Sequence, residues 1–154
     1  MYPIMSDPRV LIVESNDVLR VMLFTILRHQ PLAVDTAATA EEALGRVLTC
    51  DYALIVLDMD MPDNEAISFL REFRQQRPEA TSFVLAVRDP NGVSNLDPAQ
   101  VAAVLNKPLE IDTMAEVVRE CAPLVPRPED PLPCPPSESD VRAKLDRSGS
   151  YYSN

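Results

Sequence analysis

No apolar run in the 154 residues approaches the roughly 20 needed to cross a bilayer, and the opening MYPIMSDPRV has neither a basic region nor an apolar signal core. A membrane span and a secretory leader are therefore not expected, and the chain is read as cytoplasmic. Internal repeats are also absent. Cysteine is scarce: Cys50, Cys121 and Cys134 are widely spaced, odd in number, and form neither a Cys-x-x-Cys pair nor a cluster with histidine. That pattern predicts reduced thiols rather than a disulfide frame or a zinc site. Positive charge is in the minority, with 14 Lys and Arg against 24 Asp and Glu and a net charge of −10. Such a chain repels phosphate backbones, so neither direct nucleic-acid binding nor an anionic membrane surface is expected.

What is present is enough apolar side chain, 46% of the residues, for one domain with its own core. Short apolar runs alternate with amphipathic stretches, the pattern of a parallel sheet covered by helices. The expected strands are VLIVE (10–14), LAVDTA (32–37), ALIVLD (53–58), FVLAV (83–87) and VAAVLN (101–106). A first helix is predicted from Asp17, read as its N-cap, to His29, with Leu19, Met22, Leu23, Ile26 and Leu27 on one face. Thr39 and Glu42 have the spacing of a capping box ahead of Ala43, Leu44, Val47 and Leu48. Further helices are expected over 64–77 and 110–121. Between the last two strands, RDPNGVSNLDPAQ carries Pro90, Gly92 and Pro98, which oppose a continuous helix and predict a loop or short turn. Seven prolines fall among the last 33 residues, so 122–154 is read as a disordered tail, with room for a short helix at SDVRAKLDR.

One stretch asks for a chemical explanation. LIVLDMDMPD ends an apolar strand on Asp58, places Asp60 two residues later and closes with Pro62. A carboxylate at the end of a buried strand costs free energy unless something pairs with it, and functional groups in a parallel α/β sheet gather at the carboxyl ends of the strands. Those ends hold Glu14 and Ser15, Asp58, Val87 and Lys107. Acidic groups and one lysine are thus expected in a single crevice.

Three segments, VLIVESNDVLR, LIVLDMDMPDNEA and LNKP, come in an order and at strand ends that resemble the receiver domain of bacterial two-component response regulators, over about residues 8 to 121. The resemblance implies a flavodoxin-like doubly wound (βα)5 fold with a five-stranded parallel sheet in the order 2-1-3-4-5. It implies Asp58 as the acceptor of a phosphoryl group, Lys107 as the partner of a phosphoryl oxygen, and Mg²⁺ held by Glu14, Asp58 and the Asp60 carbonyl. It also implies a cis Lys107–Pro108 bond, a histidine kinase or phosphotransfer protein as donor, an unknown downstream protein as receiver of the signal, and no enzymatic activity.

Several positions depart from that family's pattern. Ser15 stands where a second acidic-turn carboxylate is usual, Val87 where a Thr or Ser is usual, Val104 where a switch aromatic is usual, and Ala66 where a Gly is usual. These changes predict weak Mg²⁺ binding and poor coupling of phosphorylation to shape. A phosphorylation-independent interaction module is the alternative. The Asp-x-Asp spacing is shared with haloacid-dehalogenase phosphatases, but the further acidic motif such an enzyme needs is not found in VAAVLNKPLE. No output domain is expected within so short and proline-rich a tail.

Overall fold

A computed structural model describes residues 6–92 and 96–150. Strands β1 (Arg9–Val13), β2 (Ala33–Ala37), β3 (Leu54–Asp58), β4 (Phe83–Arg88) and β5 (Ala103–Asn106) alternate with helices α1 (Asp17–Leu27), α2 (Ala40–Thr49), α3 (Glu65–Gln76) and α4 (Ile111–Cys121). A last helix, α5, spans Glu138–Ser150. All strand pairs are parallel and the order is β2-β1-β3-β4-β5, as expected. β3 is buried at every residue, because helices cover both faces of the sheet. One core joins Leu11, Val13, Ile55 and Leu57 to Phe69, Leu70 and Phe73 of α3. The other joins Val10, Ile12, Val56 and Val87 to Leu23 and Leu27 of α1 and Val118 of α4.

Local signals account for most boundaries. Glu42 N–H donates to Thr39 Oγ1 at 3.1 Å, while the Glu42 carboxylate reaches back to the Ala38 N–H at 3.1 Å, one residue earlier than a capping box requires. The cap of α1 is Asn16 rather than Asp17: Asn16 Oδ1 accepts from the Leu19 N–H at 3.0 Å. Asp17 is the first helical residue, exposed and paired with Arg20 at 2.6 Å. Asn16→Ala should therefore cost about 1 kcal/mol in urea denaturation, whereas Asp17→Ala should cost only a few tenths. Leu19 and Met22, expected on the buried face of α1, are 37% and 45% exposed. Leu48 of α2 is likewise at the surface.

Between β4 and β5 the described residues contain only a 3-10 turn, Pro98–Gln100, as the proline spacing predicted; residues 93–95 of that stretch lie outside the described residues. Leu96 and Val101 fill the space against the core instead of a helix.

Two expectations fail beyond residue 121. The segment expected as a disordered tail folds back along the amino ends of the strands, and its anticipated short helix forms as the longer α5, packed on β2. The three cysteines are not all reduced: Cys50, just after α2, is bonded to Cys134, 84 residues away, and Cys121 alone is a free thiol. Sequence spacing carries no information on this pairing, because the fold-back that brings Cys134 to α2 is set by polar contacts rather than by apolar periodicity.

Candidate functional site

Strands β1, β3 and β5 deliver the expected residues to one crevice at their carboxyl ends. Asp58, the last residue of β3, is 6% exposed, and Glu14, the residue after β1, is 8% exposed. Lys107 follows β5, and the Lys107–Pro108 bond is cis, as predicted. Its ammonium lies 2.8 Å from Asp58 Oδ1 and 2.9 Å from Asp60 Oδ2. Asp58 Oδ1 also accepts from the Asp60 N–H at 3.0 Å. Asp58, a carboxylate at the end of a buried strand, is thus compensated by a cation and a backbone donor.

The electrostatics follow from crowding. Burial pushes the Glu14 carboxyl up to about 7, and the neighbouring Asp58 charge adds to this against the Asn16 N–H and Lys107. Glu14 Oε1 accepts from that N–H at 3.0 Å, and its carbonyl accepts from Arg20 at 2.9 Å, which fixes the acidic turn. Burial alone would lower the Lys107 pKa, but its bonds to Asp58 and Asp60 outweigh this and hold it above the ordinary lysine value.

Asp60, for which the resemblance implied only a role of its carbonyl, is held in the site through its carboxylate. Besides Lys107, its carboxylate accepts from the Asp89 N–H at 2.8 Å, tying the loop after β4 to the site. Gly92 lets that loop approach: an added Cβ would lie 3.1 Å from Asp60 Oδ1 and 3.0 Å from the Asp89 carbonyl. The backbone after β3 turns through left-handed Asp63 (φ 60°) and Asn64 (φ 55°), residue types that tolerate this region. Ala66 is an ordinary buried residue of α3, so no positive φ is required of it.

The positions expected to be altered are where the strand pattern put them. Val87 is paired in register with Asp58, and its isopropyl group borders an apolar cavity of about 350 Å³ that also touches Asp58, Leu23, Val56, Leu109 and Met114. Ser15 is half-buried beside Glu14. Val104 is half-buried on edge strand β5 against the α3-side core. Among the described residues no three His, Cys, Asp or Glu side chains gather as a metal cluster. The donor set still fits one ion, since Mg²⁺ commonly takes one or two carboxylates and keeps several waters. Glu14 and Asp58, both buried in the crevice, supply two.

The model of the response regulator receiver domain matches residues 10–119. The chain belongs to that family. This receiver is 33% identical over 91 residues to the transcriptional regulatory protein PmrA of Pectobacterium parmentieri, covering 58% of this chain and 41% of that one. It is 29% identical over 112 residues to the response regulator ArlR of Staphylococcus aureus, covering 72% of this chain and 51% of the relative. The receiver thus spans about half or less of the curated relatives it matches. Among solved structures, a CheY-like receiver from Methanospirillum hungatei superposes with a TM-score of 0.61 at 25% identity, covering 73% of this chain and 91% of that one. The response regulator TrrA of Thermotoga maritima, solved in complex with Mg²⁺–BeF, shares the fold with a TM-score of 0.61 at 24% identity, over 74% of this chain and 98% of the other. Receivers are signalling modules of two-component systems that interact with histidine kinases or phosphotransfer proteins. No helix among the described residues is long and apolar enough to cross a membrane.

Resemblance at the crevice was legible; a second buried polar cluster was not. At the amino end of the sheet, Asp35 of β2 is fully buried and accepts from Arg9 Nε at 2.8 Å, the Tyr52 hydroxyl at 2.6 Å and the Glu138 N–H at 2.8 Å. An Asp within the apolar run LAVDTA was the one available signal for it.

Proposed function

We propose that this receiver accepts a phosphoryl group on Asp58 and does so slowly, because its metal and switch positions are incomplete. The observation that carries the reading is the Lys107 ammonium at 2.8 Å from a buried Asp58 carboxylate oxygen, at the end of the central strand. An Asp58 oxygen attacks the phosphorus of a phosphohistidine, the P–N bond breaks, and the electron pair and a proton end on the departing imidazole. Lys107 then pairs with a phosphoryl oxygen. Mg²⁺ bound by Glu14, Asp58 and the Asp60 carbonyl would offset the phosphoryl charge. The Mg²⁺–BeF complex of TrrA supports this assignment as an analogy of fold. A histidine kinase or phosphotransfer protein is the donor, and an unidentified downstream protein reads the result.

The second reading is a module whose contacts do not depend on phosphorylation. Val87 favours it, since its isopropyl group offers a phosphoryl oxygen no hydrogen bond at a position in register with Asp58. The two readings part on intact-mass spectrometry after incubation with acetyl phosphate and Mg²⁺. A single phosphoryl adduct that accumulates in the wild type and is absent in Asp58→Asn supports the acceptor. No adduct on the wild type at any Mg²⁺ concentration supports the constitutive module.

A further inference from the structure

We propose that Cys134 is a thiol-modification site, and that its disulfide with Cys50 latches the C-terminal segment over the edge of the sheet. β2 is an edge strand, and its outward N–H groups need partners other than a neighbouring strand. The Val34 N–H donates to Ser139 Oγ at 2.8 Å, and the Thr36 N–H donates to Glu138 Oε1 at 2.8 Å. Between them Asp35 accepts from the Glu138 N–H, placing a carboxylate at the first turn of α5, where free N–H groups favour negative charge. Arg46 of α2 pairs with Glu138, and Ser137 caps the helix by accepting from the Asp140 N–H at 3.2 Å.

Nearly all of this docking is polar; beyond the first turn of α5, Arg28 of α1 pairs with Asp146 at 2.7 Å, and ahead of the helix the Leu132 N–H donates to Asp51 at 2.7 Å and Arg9 donates to the Pro135 carbonyl at 2.6 Å. Further along α5, Val141 and Leu145 are exposed, so the helix buries little apolar surface that would hold it down. The disulfide is the covalent tie among these contacts, and it sets how often the segment lifts. Its two sulfurs are unequally placed, since Cys50 is 2% exposed whereas Cys134 is exposed and borders a cavity of about 840 Å³ between the segment and the strand starts. An external thiolate reaches Cys134 and not Cys50. Its attack forms a mixed disulfide on Cys134 and expels Cys50 as a thiolate, which takes a proton from water. The second thiolate of a dithiol reductant then displaces Cys134, so the dithiol is oxidised to a disulfide and the protein pair is reduced to two thiols. In reverse, the disulfide of a small thiol such as glutathione transfers one half to Cys134 and releases the other as a thiol. Cys50 then displaces the bound half and closes the latch. The latch lies at the end of the sheet opposite Asp58, so it stands independently of the phosphoryl-acceptor reading.

Amide hydrogen exchange resolved by residue, on protein oxidised with oxidised glutathione or reduced with dithiothreitol, tests the latch. In the oxidised protein one of the three cysteines, Cys121, should be alkylated after denaturation, and all three after reduction. Reduction should speed exchange at Val34 and Thr36 by roughly fivefold or more while leaving Ile55 of β3 unchanged. Cys134→Ser should reproduce the reduced pattern without reductant, and Glu138→Ala with Ser139→Ala should free the same two amides with the disulfide intact. Peptide mapping during re-oxidation should find the glutathione adduct on Cys134. Three alkylatable thiols after oxidation, an adduct on Cys50 instead of Cys134, or an acceleration at Val34 and Thr36 below that factor overturns the proposal.

Discussion

Asp35→Ala should lower the folding stability by about 3–5 kcal/mol, the range for breaking a buried ion pair from one side. The carboxylate is fully buried and is approached by Arg9, through Nε at 2.8 Å and a second guanidinium nitrogen at 2.6 Å, by the Tyr52 hydroxyl at 2.6 Å, and by Arg46 at 3.8 Å. Removing it leaves a largely buried guanidinium without its counter-charge and a buried hydroxyl without an acceptor. Burial, together with the charge of Asp35, raises the Tyr52 phenol above its ordinary pKa, so that hydroxyl stays a donor and cannot compensate by ionising. Arg9 also donates to the Pro135 carbonyl and lies 5.6 Å from the Tyr52 ring centroid, so its displacement would disturb the docked segment too. Urea denaturation of the oxidised protein measures the effect. A loss below about 1 kcal/mol would show that water enters and resolvates the cluster. Tyr52→Phe, which removes one donor and leaves the ion pair, should cost only about 1 kcal/mol.

The contrast between this cluster and the phosphoryl site explains what the amino-acid sequence discloses. Strand identity and order were legible because runs such as LIVL are buried on both faces, and that demand writes itself into consecutive residues. The crevice was legible because parallel strands all end on one side, so Glu14, Asp58 and Lys107 converge whatever the loops do. Asp35 was not, since its meaning depends on partners 26 and 103 residues away. The extension after residue 121 misled for a related reason. Its prolines and scant apolar pattern resemble a disordered chain, and its order comes from hydrogen bonds to β2 and a disulfide, neither of which has a period. The carboxylate of Asp60 was foreseen only through its backbone, yet it links Lys107 to the loop after β4.

The double substitution Ser15→Asp with Val87→Thr should raise the rate of Asp58 phosphorylation by acetyl phosphate about thirtyfold or more. Each change restores an interaction with charge that develops in the transition state, worth about 1–3 kcal/mol where the site is desolvated. Two such terms at the lower bound give about 2 kcal/mol, and each 1.36 kcal/mol is tenfold in rate. The substitutions carry a cost in the resting protein. Val87 is 3% exposed and packs with Leu23, Val56 and Met114, so exchanging a methyl for a hydroxyl there costs apolar packing in the resting protein. An aspartate at position 15 adds negative charge beside Glu14, whose carboxyl already stands at about 7. The double variant should therefore melt lower than the wild type without Mg²⁺ and gain more than the wild type when Mg²⁺ is added, because binding to the native state alone stabilises it. Rates come from intact mass against time, and melting from calorimetry with and without the ion. A wild type already phosphorylated as fast as the double variant, with the activity lost in Asp58→Asn, would show that Ser15 and Val87 do not impair the site.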